Sequence, residues 1–399
     1  MATTPDAHDA TYPVLREVIA SGAFCTVHTV EGRANIVAKV YSRPYQCARA
    51  LRAIDAIKES TTSPEQLAHI ESVIDIGARA TFDGSVLHIC PFVIMPKYEV
   101  NFGDYVHAYT DEHGTGLPAI AVLATARQLF GALSVLERAR IVHGDIKPSN
   151  LMFRATPIFA LDSITSFDIV LCDFGSARIL APDVVSCHPA IVGSDGFIAP
   201  EIMLGLGYSF SADVWSAMST IMSAITGDKS FDPYNGDCLD FGEGTESAFA
   251  DEKDDDEDED DGFAQLSSQS DQMSGSRTSV APPSHEATMA SAPSSMSATS
   301  DDIDFMQMYA MIFAMYAILG APPASFCEIA DAYYVNGAPR YHRNAHPGSI
   351  NNFLTVNYSL GPNHVHEVSS FLTLGLQYMP QDRASAARIL ASQFLSNGT

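Results

Sequence analysis

The eight residues His143-Gly144-Asp145-Ile146-Lys147-Pro148-Ser149-Asn150 constrain this 399-residue chain more than any other stretch of it. Asp173-Phe174-Gly175 begins 23 residues after Asn150, and Ala199-Pro200-Glu201 follows after about two dozen more. Far upstream, Lys39 interrupts a β-rich run, Ile36-Val37-Ala38-Lys39-Val40-Tyr41. Any one of these short motifs arises easily by chance. Four of them in this order and at these separations leave little room for coincidence.

The surroundings divide the chain into a strand-rich beginning and a helical remainder. Residues 14–41 read as strand, turn, strand, with Ser21-Gly22-Ala23-Phe24-Cys25-Thr26-Val27 at the turn. Over 45–58, Ala50, Leu51, Ile54 and Ile57 fall at helical spacing. Further β-like runs lie at 85–89 and 92–95, and helical spacing returns over 119–141. Residues 236–302 break this pattern. Between Asp237 and Asp304 there are 19 acidic residues against only Lys253 and Arg277, so −17 of the formal −26 sits there. Dense like charge with few aliphatic side chains cannot offset the entropy of ordering, and this insert is expected to be disordered. Helical periodicity resumes at Ile303 and again over 368–395.

Composition excludes several classes. An acidic chain is poorly suited to non-specific nucleic-acid binding, which needs Lys and Arg against phosphates. The seven cysteines include no C-x-x-C pair, so neither a zinc site nor a disulfide framework is indicated, and a reduced, intracellular chain is expected. The first residues have no basic and apolar regions of a secretory signal. The run 305–319 is shorter than the ~20 residues a membrane span requires and contains Gln307, Tyr309 and Tyr316. A buried helix is the expectation there.

Taken together, the motifs resemble those of eukaryotic-type serine/threonine protein kinases, over residues 15–395 apart from the acidic insert. The resemblance implies an α+β, bilobal fold: a small antiparallel N-lobe (14–98) and a mainly helical C-lobe (99–235 and 303–399) around the insert (236–302). It implies ATP in the cleft between the lobes, with Mg2+, and protein substrates. By the same resemblance Lys39 holds the α- and β-phosphates, helped by Ile19, Ala20, Gly22 and Val27 of a glycine-rich loop. Asp145 accepts the substrate proton, and Lys147 steadies the transferring phosphate as in the serine/threonine class. Asn150 and Asp173 supply hard oxygens to magnesium. Asp213 matches the residue that braces the catalytic loop, and Arg383 the late arginine that pairs with Glu201. Asp173-Phe174-Gly175-Ser176-Ala177-Arg178 and the segment Leu319-Gly320-Ala321-Pro322-Pro323 look most like SR-protein/LAMMER-type kinases.

The chain also departs from the family pattern. Only Gly22 of the three loop glycines is present; Ala20 and Cys25 replace the others. Gly144 stands where many kinases carry the arginine of His-Arg-Asp, and Ile198 where the SR-type relatives carry arginine. The helix glutamate that should pair with Lys39 falls at Ala53 in the family register, with Asp55 and Glu59 as substitutes in another register. These departures keep a second reading open, a pseudokinase scaffold that binds basic partners through its acidic insert. The thinned loop and the insert would suit a fast-diverging, viral member of the family.

Overall fold

The structure is a computed structural model that describes residues 13–22, 24–61, 63–82, 87–160, 163–187, 192–227, 231, 305–333, 349–357 and 362–396. The acidic insert and Ile303 lie outside the described residues. The chain opens with β1 (Leu15–Ser21), β2 (Cys25–Val30) and β3 (Arg33–Tyr41), then α1 (Pro44–Ser60), the single-turn α2 (Pro64–Leu67), β4 (Asp75–Phe82) and β5 (Leu87–Pro96). These strands form one antiparallel sheet in the order β1-β2-β3-β5-β4.

Side chains alternate across β3, as the pleat requires. Val37 and Tyr41, with Val93 and Met95 of β5, face the main core and α1. Ala38 and Val40 pack on the other face with Val30, Phe92 and Ile94. Helix α1 starts on Pro44, whose missing amide proton costs nothing in a first turn. Its buried stripe is Cys47, Ala50, Ala53, Ile54 and Ile57, a 3.6-residue period that lays one face on the sheet and on the turn after Asp173.

Two strands differ from the sequence expectation. The turn of 14–41 contains a full strand, β2, and residues 87–89 and 92–95 belong to one strand, β5, which pairs with β4 from Leu87 to Ile94; Ser85 and Val86 lie outside the described residues. Strand β4 escapes notice because of Gly77. Gly77 pairs with Phe92, and a β-carbon on it would stand 2.3 Å from the Phe92 ring. Glycine weakens the strand signal where the ring needs the space.

After β6 (Val100–Asn101) come α3 (Phe102–His113), capped by the Asn101 side chain, and α4 (Ala119–Arg138). Short strands β7 (Ile141–Val142), β8 (Leu151–Phe153), β9 (Ile158–Ala160), β10 (Ser163–Ser166), β11 (Ile169–Leu171) and β12 (Arg178–Ile179) frame the motif loops. Pairings β11-β8-β6, β9-β10 and β7-β12 hold them. The remaining helices are α5 (Pro200–Met203), α6 (Phe210–Thr226), α7 (Phe305–Leu319), α8 (Ala324–Tyr333), α9 (Ile350–Asn357), α10 (Pro362–Thr373), α11 (Ala386–Leu390) and α12 (Gln393–Ser396).

Helices α4 and α6 pack on each other at the centre of this half, and α11 covers α4. Trp215, Met218, Ile221 and Met222 of α6 are fully buried. Among the described residues α4 alone is long and apolar enough to cross a membrane, and its apolar face is the one that meets α6 and α11.

Candidate functional site

Strand β3 is the middle of the sheet, so a side chain on its inner face is enclosed from both sides. Lys39 pairs with Val27 of β2 and Val93 of β5, and Val27 pairs with Ala20 of β1. Ala20, Val27, Lys39 and Val93 therefore make one row across the sheet. Ile19, the next residue of β1, is exposed. The Lys39 ammonium is buried and donates to Asp173 Oδ1 at 2.9 Å. Burial works against its charge, but the carboxylates of Glu71 and Asp173 outweigh burial and hold its pKa well above the usual lysine value. Asp173 shows the reciprocal effect: burial opposes its charge, yet Lys39 brings its pKa below the usual carboxylate value. Its backbone is left-handed (φ +71°), a conformation non-glycine residues adopt at a cost and keep where surroundings enforce it.

Glu71 is a residue the sequence gives no reason to single out. It lies on the connection between α2 and β4, is 3% exposed, and its Oε2 accepts from the Asp173 amide at 3.0 Å. Burial raises its pKa, while Lys39 and the Asp173 amide pull it back down. The three residues proposed by register for this place stand elsewhere. Ala53 is buried and apolar, and Asp55 and Glu59 are exposed on α1.

The octapeptide follows β7 as an irregular loop. His143 is fully buried; the Asp145 amide donates to its Nδ1 at 3.3 Å. With Nδ1 accepting, the ring proton sits on Nε2, 3.2 Å from the Cys172 carbonyl oxygen. Burial lowers the His143 pKa, so the neutral ring that this geometry needs is the favoured one. The ring also meets the edge of Phe174 at 4.8 Å. His143 thus fastens the Asp145 loop to the turn that carries Asp173.

Around Asp145 the polar groups converge. Lys147 Nζ lies 3.1 Å from Asp145 Oδ2, and the Asn150 amide nitrogen donates to the same oxygen at 3.1 Å and to the Asp145 carbonyl at 2.7 Å. Ser194 donates to Asp145 Oδ1 at 2.8 Å and accepts from Lys147 at 2.5 Å. Nothing in the spacing of the sequence motifs marks Ser194 for this place. Its place in this triangle depends on the chain between Asp173 and Glu201 folding back, which no local spacing encodes.

Two buried carboxylates, Asp213 and Glu201, tie down the chain around the loop. Asp213, at the start of α6, accepts from the amides of His143 (2.7 Å) and Gly144 (2.9 Å). Burial pushes its pKa up to about 7, against those two amide bonds. Gly144 has φ +78°, so a glycine fits where the backbone turns to present both amides. Glu201 and Arg383 form a two-pronged pair, Nη1–Oε1 2.7 Å and Nη2–Oε2 2.6 Å, with both side chains buried. Arg383 also donates to the carbonyls of Gln377, Ser211 and Tyr378 and lies over Trp215. Gly22 is exposed beside Ala20, and its amide donates to Cys25 O at 2.9 Å. A β-carbon on Gly22 would meet only ordinary contacts, 3.8 Å and beyond, so the hairpin itself does not demand glycine there.

Comparison with known proteins agrees with this geometry. Residues 93–395, more than half the chain, match the protein kinase domain family; β1–β4 and Lys39 precede the matched span. The chain is similar to dual specificity protein kinase KNS1 of Saccharomyces cerevisiae, 22% identical over 249 residues that cover 54% of this chain and 31% of that protein. It is similar to human serine/threonine-protein kinase D2, 28% identical over 218 residues (53% and 22%). A third relative is serine/threonine-protein kinase ATG1a of Arabidopsis thaliana, 32% identical over 133 residues (33% and 20%). The matches span less than a third of the length of each of these relatives. With an antiparallel sheet bearing Lys39 and a helical half bearing the three downstream motifs, the chain belongs to the protein kinase domain family.

Proposed function

We propose that the protein transfers the γ-phosphoryl group of ATP to serine or threonine hydroxyls of protein substrates, basic ones among them. The observation that carries this reading is the junction at His143, which holds the Asp145–Lys147–Ser194 triangle against the turn bearing Asp173 and, through it, Lys39. Phosphoryl transfer asks a protein for position and charge neutralisation, and this junction offers both. The acceptor oxygen attacks the γ-phosphorus, the bond to the β–γ bridging oxygen breaks, and ADP departs with that electron pair. The hydroxyl proton passes to Asp145. Ser194 and Lys147 hold one Asp145 oxygen each, which orients the carboxylate toward an incoming hydroxyl. Lys147 also brings positive charge beside the reacting phosphate.

Asn150 and Asp173 suit Mg2+, which prefers a few hard oxygens and completes its shell with phosphates and water. Asn150 spends its amide nitrogen on Asp145, leaving its oxygen as the group for a cation. Bound there, the ion supplies neutralisation of the phosphate charge. Lys39 and the hairpin at Gly22, Ala20, Ile19 and Val27 hold the triphosphate.

The test is transfer of labelled γ-phosphate by the purified chain to mixed basic and acidic proteins, beside Asp145→Asn. Phosphoserine or phosphothreonine from the wild type and none from the variant is the expected result. A wild-type chain that binds ATP and labels no acceptor would be a scaffold instead.

A further inference from the structure

The helix beside the sheet offers Lys39 no acid. The buried face of α1 carries Gln46, Cys47, Ala50, Ala53, Ile54 and Ile57, and both of its acids point to solvent. Asp173 holds the ammonium at 2.9 Å, but a carboxylate that also serves a cation shares its charge between the two. A buried ammonium left without its own anion is costly, so the site calls for a second carboxylate. Glu71 is buried beside this pair, with Oε2 on the Asp173 amide and Oε1 enclosed without a hydrogen-bond partner. We propose that Glu71 supplies the carboxylate that α1 lacks, and positions the Lys39 ammonium for the nucleotide phosphates. This rests on the kinase reading of the site and deepens it.

The backbone around Glu71 explains how an acid outside the helix can serve. The Glu71 amide donates to Leu171 O at 2.9 Å, the Leu171 amide donates to His69 O at 2.9 Å, and Ile70 bridges to Leu171 in parallel fashion. Leu171 is the last residue of β11, two before Asp173. Glu71 and Asp173 therefore ride on one hydrogen-bonded unit and keep a common position. In kinases that draw the acid from the helix, the lysine–glutamate pair depends on where the helix stands. Here the pairing of Lys39 requires no movement of α1.

The substitution that isolates this role is Glu71→Gln, which keeps an oxygen for the Asp173 amide and removes the charge. Dissociation constants for Mg–ATP are measured by calorimetry on the full chain as wild type, Glu71→Gln, Lys39→Met and the double variant. Glu71→Gln is expected to weaken binding roughly tenfold or more. In the Lys39→Met background the same change should move the constant by less than about twofold, because the partner is already gone. Unchanged binding by Glu71→Gln, or an equal loss in both backgrounds, overturns the proposal.

A second measurement needs no nucleotide. In chemical denaturation of the same four proteins, the double variant should lose less than the two single losses combined, and strictly additive losses overturn the pairing. If the wild type bound no nucleotide, the kinase reading would fall by itself, and denaturation would still decide whether Glu71 and Lys39 act together.

Discussion

Replacing Lys39 by Met removes an ammonium that Asp173 holds at 2.9 Å and beside which Glu71 is buried. Replacing Asp173 by Ala removes the carboxylate that meets both Lys39 and the proposed cation. Each change is expected to slow transfer on the order of 10³-fold or more, because charge stabilisation of the transferring group is lost in a water-poor site. Circular dichroism should show both variants folded, and either one retaining half of wild-type turnover would strike that residue from the mechanism. Asp213 makes a prediction in pH. Its folded pKa of about 7 stands above the ~3.9 of an unfolded aspartate, so between these values the folded state binds the extra proton. Stability from this group is therefore greatest at low pH and declines as pH rises from about 4 to about 7, by on the order of 4 kcal/mol. Asp213→Asn cannot ionise and lacks that slope. Its stability deficit relative to the wild type should shrink as pH climbs through this window. Denaturant midpoints at several pH values check this, and parallel curves for the two proteins would contradict it.

In many kinases regulation acts on the segment that corresponds to the one between Asp173 and Glu201 here. Many kinases order it through a phosphate paired with the arginine that Gly144 replaces here. In this chain Arg140 supports the segment: its guanidinium donates to the carbonyls of Leu180, Ala181 and Val184, and its own carbonyl accepts from the Leu180 amide. Arg140 has φ +57°, the second of two non-glycine residues in that region among the described ones. Phosphatase treatment is expected to leave activity unchanged, whereas Arg140→Ala should speed amide exchange at 180–186. An enzyme silenced by phosphatase and restored by a phosphomimetic in the segment would reverse this. The same element shows what a sequence can and cannot reveal. Asp145, Lys147 and Asn150 are legible because their roles need fixed offsets within a few residues of one loop. Glu71 and Ser194 reach the site across strand bridges and a folded-back segment, and such tertiary relations have no period. Helical registers of α1 offer only Ala53, Asp55 and Glu59, whereas the buried Glu71 lies beyond that helix.

At the scale of the whole molecule, one ion pair and one charged segment bear on how the chain works as a unit. Glu201 and Arg383 are 182 residues apart, on opposite sides of the acidic insert, and removing one leaves its partner buried and uncompensated. Arg383→Ala should cost about 3–5 kcal/mol, a fall in melting temperature on the order of 10 °C; an unaltered melting curve would show the pair to be dispensable. The insert enters between α6 and α7 and carries −16 of the formal charge of −26. Closing a longer loop costs only about 0.6 kcal/mol per doubling of its length, so its size alone need not burden the fold. If the substrates are basic, as proposed, its charge would attract them and raise their local concentration. Replacing residues 242–300 by a short Gly/Ser linker should then leave the rate on a small neutral peptide unchanged. The same deletion should raise the KM for a basic protein, most visibly at low salt, where screening is weak. Loss of activity on every substrate would make the insert part of the folded enzyme, and an unchanged KM at all salt concentrations would reduce it to a spacer.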